Sequence, residues 1–143
     1  MTTPLHLGRG NHPALTTLHD YLAEVTAALG IGMESCTVDH DTPVSAYIAL
    51  DQRLPGYPDR DVALLWDEVH GWSAAIETHS AEDMIVVRYL GGTTVTPVPA
   101  RVTRFLTAVQ EDDHRIGRLD PPALRTAGGL DDLHAVLRSR RTA

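Results

Sequence analysis

Asp67, Glu68 and His70 stand within one short run of the chain, and its only two tryptophans, Trp66 and Trp72, bracket them. A carboxylate beside an imidazole can tune that imidazole for proton exchange near neutral pH. Indole faces on either side offer flat apolar walls on which a ligand can stack. The five residues thus form a candidate acid–base site, with Asp67 or Glu68 and His70 moving the proton and Trp66 or Trp72 stacking. The plainer reading is a turn, with Asp67 forming it, Glu68 solvated and His70 capping it. The triplet lacks the further partners that a complete catalytic set needs.

The loop from Asp51 to Asp61 carries Arg53, Tyr57 and Arg60 and is long for a strand connection. Long ordered loops are often functional. Arg53 and Arg60 could hold an anionic ligand or a partner carboxylate by bidentate contact, or could pair locally with Asp51, Asp59 and Asp61. Arg53, Tyr57, Arg60, Trp66 and Trp72 are the expected ligand- or partner-binding residues. Pro55-Gly56 predicts a type II turn, in which glycine accepts a positive φ.

Other reactive groups give less. Cys36 could act as a nucleophile with His40 or His79 as base, but a single cysteine on a strand is more often core. His6, His12 and His19 lack the tight spacing of zinc motifs. In Glu111-Asp112-Asp113-His114, consecutive side chains point in different directions, which suits a solvated helix end better than a cation site. No metal and no cofactor is expected.

Composition narrows the chemistry further. All twelve basic residues are arginine. A GC-rich genome accounts for that bias. Without a lysine amine, Schiff-base catalysis and a Walker-type phosphate loop are both excluded. The net charge is −7, with four Arg against thirteen acids in Met1–Pro97 and eight Arg against six acids in Val98–Ala143. An acidic body opposes binding to a phosphate backbone, so nucleic acid is not an expected partner. The basic tail Arg138, Arg140, Arg141 suits the C-terminal end of a helix opened by Asp131 and Asp132. No apolar run is long enough to span a bilayer, and Met1–Gly10 lacks the pattern of a secretory signal. With the lone Cys36, this predicts a reducing, cytoplasmic setting.

The elements that must position these residues follow from periodicity. Leu15, Leu18, Leu22, Val25 and Leu29 predict a helix over 13–29, with Pro13 in its first turn and Gly30 closing it. Strands are expected over 36–39, 44–51, 62–67, 72–78 and 84–90, with Gly71 in a hairpin turn. The third of them is apolar on both faces, as in a central strand covered on each side or a dimer seam. Val98, Val102, Phe105, Leu106 and Val109 predict a second helix, with Thr96 as cap and Pro97 or Pro99 in its first turn. Leu130, Leu133, Val136 and Leu137 predict a last one. The fold class is α+β: helix, five-stranded mainly antiparallel meander, helix, and a C-terminal helical appendage. Residues 1–116 form a single domain, and 117–143 a helical extension packed on it or flexibly attached. With helices on one face, the other must be solvated or meet a partner. Alternation would line that second face with Ala49, Ala63, Leu65, Ala75, Ile85 and Val87.

The segment Leu50-Asp51, Arg53-Leu54-Pro55-Gly56, Arg60-Asp61, Leu64-Leu65-Trp66-Asp67-Glu68 and His70-Gly71-Trp72 resembles an actinobacterial family of uncharacterised small proteins. The likeness runs from the first helix through the second. It implies a high-GC source and a cytoplasmic setting, and brings no catalytic residues with it.

The leading expectation is a non-catalytic interaction or adaptor domain. It would bind a protein partner or a second copy through the second sheet face, the 51–61 loop and the tryptophan-flanked turn. The alternative is a small enzyme of metabolite or natural-product chemistry, binding a small molecule beside Trp66 and Trp72 and using Asp67, Glu68 and His70.

Overall fold

Pro13 sets the first helical φ, and the His12 ring stands just ahead of it as an N-cap, accepting from Ala14 N at 3.0 Å through Nδ1. That leaves Nε2 to donate to Asp131 at 2.9 Å, which ties the start of the first helix to the start of the last. The computed structural model describes residues 12–78 and 83–139. The expectations for Met1–Gly10, His6, His79, Arg140 and Arg141 lie outside the described residues.

The element order is α1 (Pro13–Ala28), a 3-10 turn (Met33–Ser35), β1 (Cys36–Asp39), β2 (Ser45–Leu50), β3 (Val62–Asp67), β4 (Gly71–Glu77), β5 (Met84–Tyr89), α2 (Pro99–Gln110) and α3 (Leu130–Ser139). The strands form one antiparallel sheet in the order β1-β2-β3-β4-β5, so the fold is the expected α+β meander with β3 at its centre. The N-cap of α2 is Val98, without a side-chain bond, and Pro99 takes the first turn. Thr96 is not a cap; its backbone N–H donates to the Thr94 hydroxyl oxygen at 3.1 Å. Among the described residues no helix is long and apolar enough to cross a membrane.

All three described helices lie on one side of the sheet. Leu15, Leu18, Leu22 and Val25 of α1, Val102 and Phe105 of α2, and Leu133 and Leu137 of α3 share one core with Ile48, Leu64, Trp66, Trp72, Ala74 and Ile76 of the sheet. Period-two alternation puts those strand residues on the same face. Leu133 and Leu137 are fully buried, so the last helix supplies part of the core.

The buried tryptophans carry polar N–H groups that must be satisfied. Trp66 Nε1 donates to Val95 O at 2.6 Å. Trp72 Nε1 donates to the Tyr21 hydroxyl at 3.0 Å, which donates to Pro97 O at 2.6 Å. This relay pins the 95–97 segment over the sheet and sets where α2 begins.

The second face differs in one strand from simple alternation. A bulge between Ala74 and Ala75 shifts the β4–β5 register, pairing Ser73 with Tyr89 but Ala75 with Val86 and Ile76 with Ile85. The extra residue inverts the side-chain parity of the first half of β5. Ile85 therefore stands on the helical side with Ile76, and Val87 packs against the core. Val86 and Tyr89, not Ile85 and Val87, join Ala49, Ala63, Leu65 and Ala75 on the second face.

Glu68 joins the sheet to the C-terminal segment. Its carboxylate, 1% exposed, accepts from Val44 N at 2.6 Å and from Arg125 Nη1 at 2.6 Å. The same Arg125 nitrogen reaches Glu68 O at 3.3 Å, and Leu124 N donates to Val69 O at 2.9 Å. Removing one partner of a buried ion pair leaves an uncompensated charge. Arg125→Met is expected to lower unfolding free energy in urea by about 3 kcal/mol. An unchanged denaturation midpoint would show that the pair contributes nothing.

Candidate functional site

The β3–β4 hairpin brings the five residues of the first candidate site close in sequence but sends them in three directions. Gly71, at φ 72°, turns the chain back so that Trp66 pairs with Trp72 and Asp67 with Gly71. Trp66 and Trp72, each 1% exposed, face the core, so neither ring can stack on a ligand. Parity decides this, because positions 66 and 72 share the face of Leu64 and Ala74 beneath the helices. Glu68 is neither solvated nor free for proton transfer, since its carboxylate is consumed by Val44, Arg125 and a longer 3.4 Å bond from Gly128 N. Asp67 closes the turn, its Oδ1 accepting from Val69 N at 2.8 Å and His70 N at 2.7 Å. His70 Nδ1 lies 3.1 Å from both Asp67 oxygens. An Asp–His pair does exist, then, but both side chains stand partly in solvent at the turn. Among the described residues Asp67 borders a shallow concavity with Tyr47 and Leu65, which His70 and Glu68 do not line.

The 51–61 loop spends its arginines internally. Arg53 pairs with Asp61 at 3.0 Å, and Arg60 donates to Glu77 O at 2.9 Å. The turn closes through Tyr57 N to Leu54 O at 2.9 Å, and Gly56 is not among the glycines at positive φ, so it is not type II. Leu54 is buried in the core, and Gln52 hydrogen-bonds Gln110 at the end of α2. Tyr57, 41% exposed, lines a cleft of about 260 Å³ with Leu54, Val87, Val109 and Leu119, on the helical side. Tyr57 and its cleft thus lie on the helical side, whereas the end of the loop, at Asp61, adjoins Tyr47 of the second face.

The second face has its own order. Tyr47 and Glu77, on β2 and β4, meet across β3, with the hydroxyl 3.4 Å from Glu77 Oε1. In this register the line between them runs diagonally over Ala63. Ala63 and Ala75 are fully buried yet lie outside the helix-side core. Larger side chains there would displace the Tyr47 strap. Leu65, Val86 and Tyr89 remain half-buried around it, and the His70 ring sits 6.3 Å from that of Tyr89. Tyr47, Leu65 and Asp67 border a shallow concavity of about 250 Å³. No described helix lies over this face. Burial, then the charge and hydrogen bond of Glu77, then the charge of Asp61 push the Tyr47 phenol above its ordinary value.

Cys36 is half-buried, and burial pushes its thiol up, opposite to what a nucleophile needs. His40 contacts the His19 ring edge-on at 6.1 Å. In the acidic group after α2, Asp113 takes Arg115 bidentately at 2.9 Å on each oxygen. Buried Arg88 donates to Asp113 O at 2.6 Å and contacts His114 Nδ1 at 3.2 Å. Gly117, at φ 97°, lies so close that a Cβ would come within 2.7 Å of the Arg88 side chain. Among the described residues no three metal-ligating side chains gather. The sequence reading missed the Glu68–Arg125 clasp and the Tyr47–Glu77 strap, because both join residues far apart in the chain.

A family model described as a family of unknown function (DUF6292) matches residues 21–108, more than half of the chain. The chain belongs to this family. Neither a curated protein nor a solved structure matches it. The matched region contains the whole sheet, and it ends before Arg125 and α3.

A raised folded-state value means that Tyr47 contributes its stability below the unfolded phenol value and loses it as pH rises through the folded one. Ultraviolet titration of the parent minus Tyr47→Phe should show one phenol ionising above about 10; a midpoint at or below that would break the strap. Asp113 runs the other way, its hydrogen bonds from Arg115 holding its carboxyl down to about 2. Its contribution is present above the unfolded value of about 3.9 and fades as pH falls through the folded one. A carboxyl-carbon NMR titration of Asp113 should therefore have its midpoint well below that of an exposed aspartate, and in Arg115→Gln the midpoint should return to the ordinary range.

Proposed function

We propose that this chain is a non-catalytic protein-interaction module whose contact surface is the second face of its sheet. One observation carries the reading. Three helices cover one face, while on the other Tyr47, Leu65, Val86 and Tyr89 stay half-buried with no described helix over them. A contiguous apolar and aromatic patch rimmed by polar groups is what interaction surfaces present. Thr37, Asp39 and Ser45 supply such a rim beside Tyr47. The partner is a second copy or another protein. The lysine-free composition and the lone half-buried Cys36 support a high-GC actinobacterial source and a reducing cytoplasmic setting.

A small enzyme is the weaker reading, because Glu68 is committed to Arg125 and Asp67 to its own turn.

Photo-crosslinking tests the surface directly. Leu65→p-benzoylphenylalanine and Val86→p-benzoylphenylalanine, expressed in the native host, should each give a discrete protein adduct on irradiation. Arg104→p-benzoylphenylalanine on α2 should not. Sedimentation velocity then separates a second copy from a different partner. Adducts at 65 and 86 no more frequent than at 104, with a monomer at every concentration, would overturn the reading.

A further inference from the structure

The arginines of the 98–118 segment are arranged differently from those of the loop. Arg101 and Arg104 lie one turn apart on α2 and share a cavity of about 200 Å³ with Arg115, floored by Leu90 and Ile116. Arg115 is taken by Asp113. Arg101 and Arg104, like Arg118 and Arg138, have no acidic partner among the described residues, whereas Arg53, Arg60, Arg88 and Arg125 each have a protein acceptor. Like charges this close on a helix repel, and a cation in the first turn, where Arg101 stands, also opposes the helix dipole. Among the described residues no acid offsets either cost.

The surroundings fit an anion. Arg101 lies against the Gly91-Gly92 turn, where a Cβ on Gly92 would stand 3.3 Å from its Nη2. It also borders a second, smaller cavity of about 140 Å³ with the hydroxyl-bearing Thr93 and Thr94. The Arg118 side chain passes beside Gly91. Guanidinium groups match phosphate oxygens in bidentate geometry, and bind them better than an ammonium would.

We propose that Arg101 and Arg104 form a binding site for a small phosphate monoester, with the phosphate between the two guanidinium groups and its carbon-bearing part against Leu90 and Ile116. The half-open cavity of about 200 Å³ suits one phosphate group and not a continuous backbone. The chain as a whole, at a net charge of −7, repels a long polyanion. This site shares no residue with the second sheet face and stands independently of it.

The test is a two-dimensional NMR titration of the intact protein with inorganic phosphate and with phenyl phosphate at constant ionic strength. Saturable shifts are expected at the Arg101 and Arg104 side-chain N–H groups and at Leu90 and Ile116, with phenyl phosphate the tighter ligand. Arg101→Gln and Arg104→Gln should each weaken phenyl phosphate about tenfold, the scale of one charge-assisted hydrogen bond. Arg53→Gln, at a pair remote from the cavity, should leave affinity unchanged. Both replaced arginines are exposed, so folding should survive. The proposal is overturned by shifts that do not saturate, by equal shifts from matched chloride, by undiminished binding in the double variant, or by an oligonucleotide that binds more tightly with a steep salt dependence.

Discussion

A carboxylate almost wholly removed from water governs this architecture. Glu68 sits one residue past β3, where the chain leaves the sheet, and burying it unpaired would cost more than a small domain can spare. Its bonds to Val44 N and Arg125 remove that cost and in doing so bind the entry to β2, the β3–β4 turn and the segment leading to α3. With that segment held, Leu133 and Leu137 of α3 reach the core beside α1, and the His12–Asp131 contact closes the far end. A residue that looks like a catalytic acid is thus a structural joint.

The sheet carries two faces built by different rules. On the helical side, large side chains interlock and polar atoms are passed along a relay from Trp72 through Tyr21 to Pro97. On the other side, alanines at 63 and 75 leave room for one tyrosine to lie across the strands and meet Glu77. That arrangement keeps the face partly dry with no described helix over it. A half-buried apolar face of this kind is what association surfaces present.

Arginine placement follows a similar division. Where acids or backbone carbonyls are near, guanidinium groups act as staples: Arg53 and Arg60 brace the loop, Arg88 gathers the turn after α2, and Arg125 holds Glu68. These staples consume the loop cations that looked available for a ligand. On α2 the pattern breaks, and two cations face one cavity with no acid assigned to them among the described residues.

Local periodicity was enough to read the elements. Helical spacing in Leu15–Val25, Val102–Val109 and Leu130–Leu137, alternation along the strands and glycine at 71 determined the α+β meander and the central place of β3, because those signals arise between neighbours in the chain. Which way a side chain finally pointed was a different matter. The bulge at Ala74/Ala75 reversed half of β5, the sheet register turned both tryptophans inward, and Arg125 reached back across 57 residues to claim Glu68. Such pairings depend on distances in space that no sequence spacing encodes. Sequence alone therefore determined the elements and their order, while tertiary packing decided which charged and aromatic groups stayed available and which were consumed in holding the fold together.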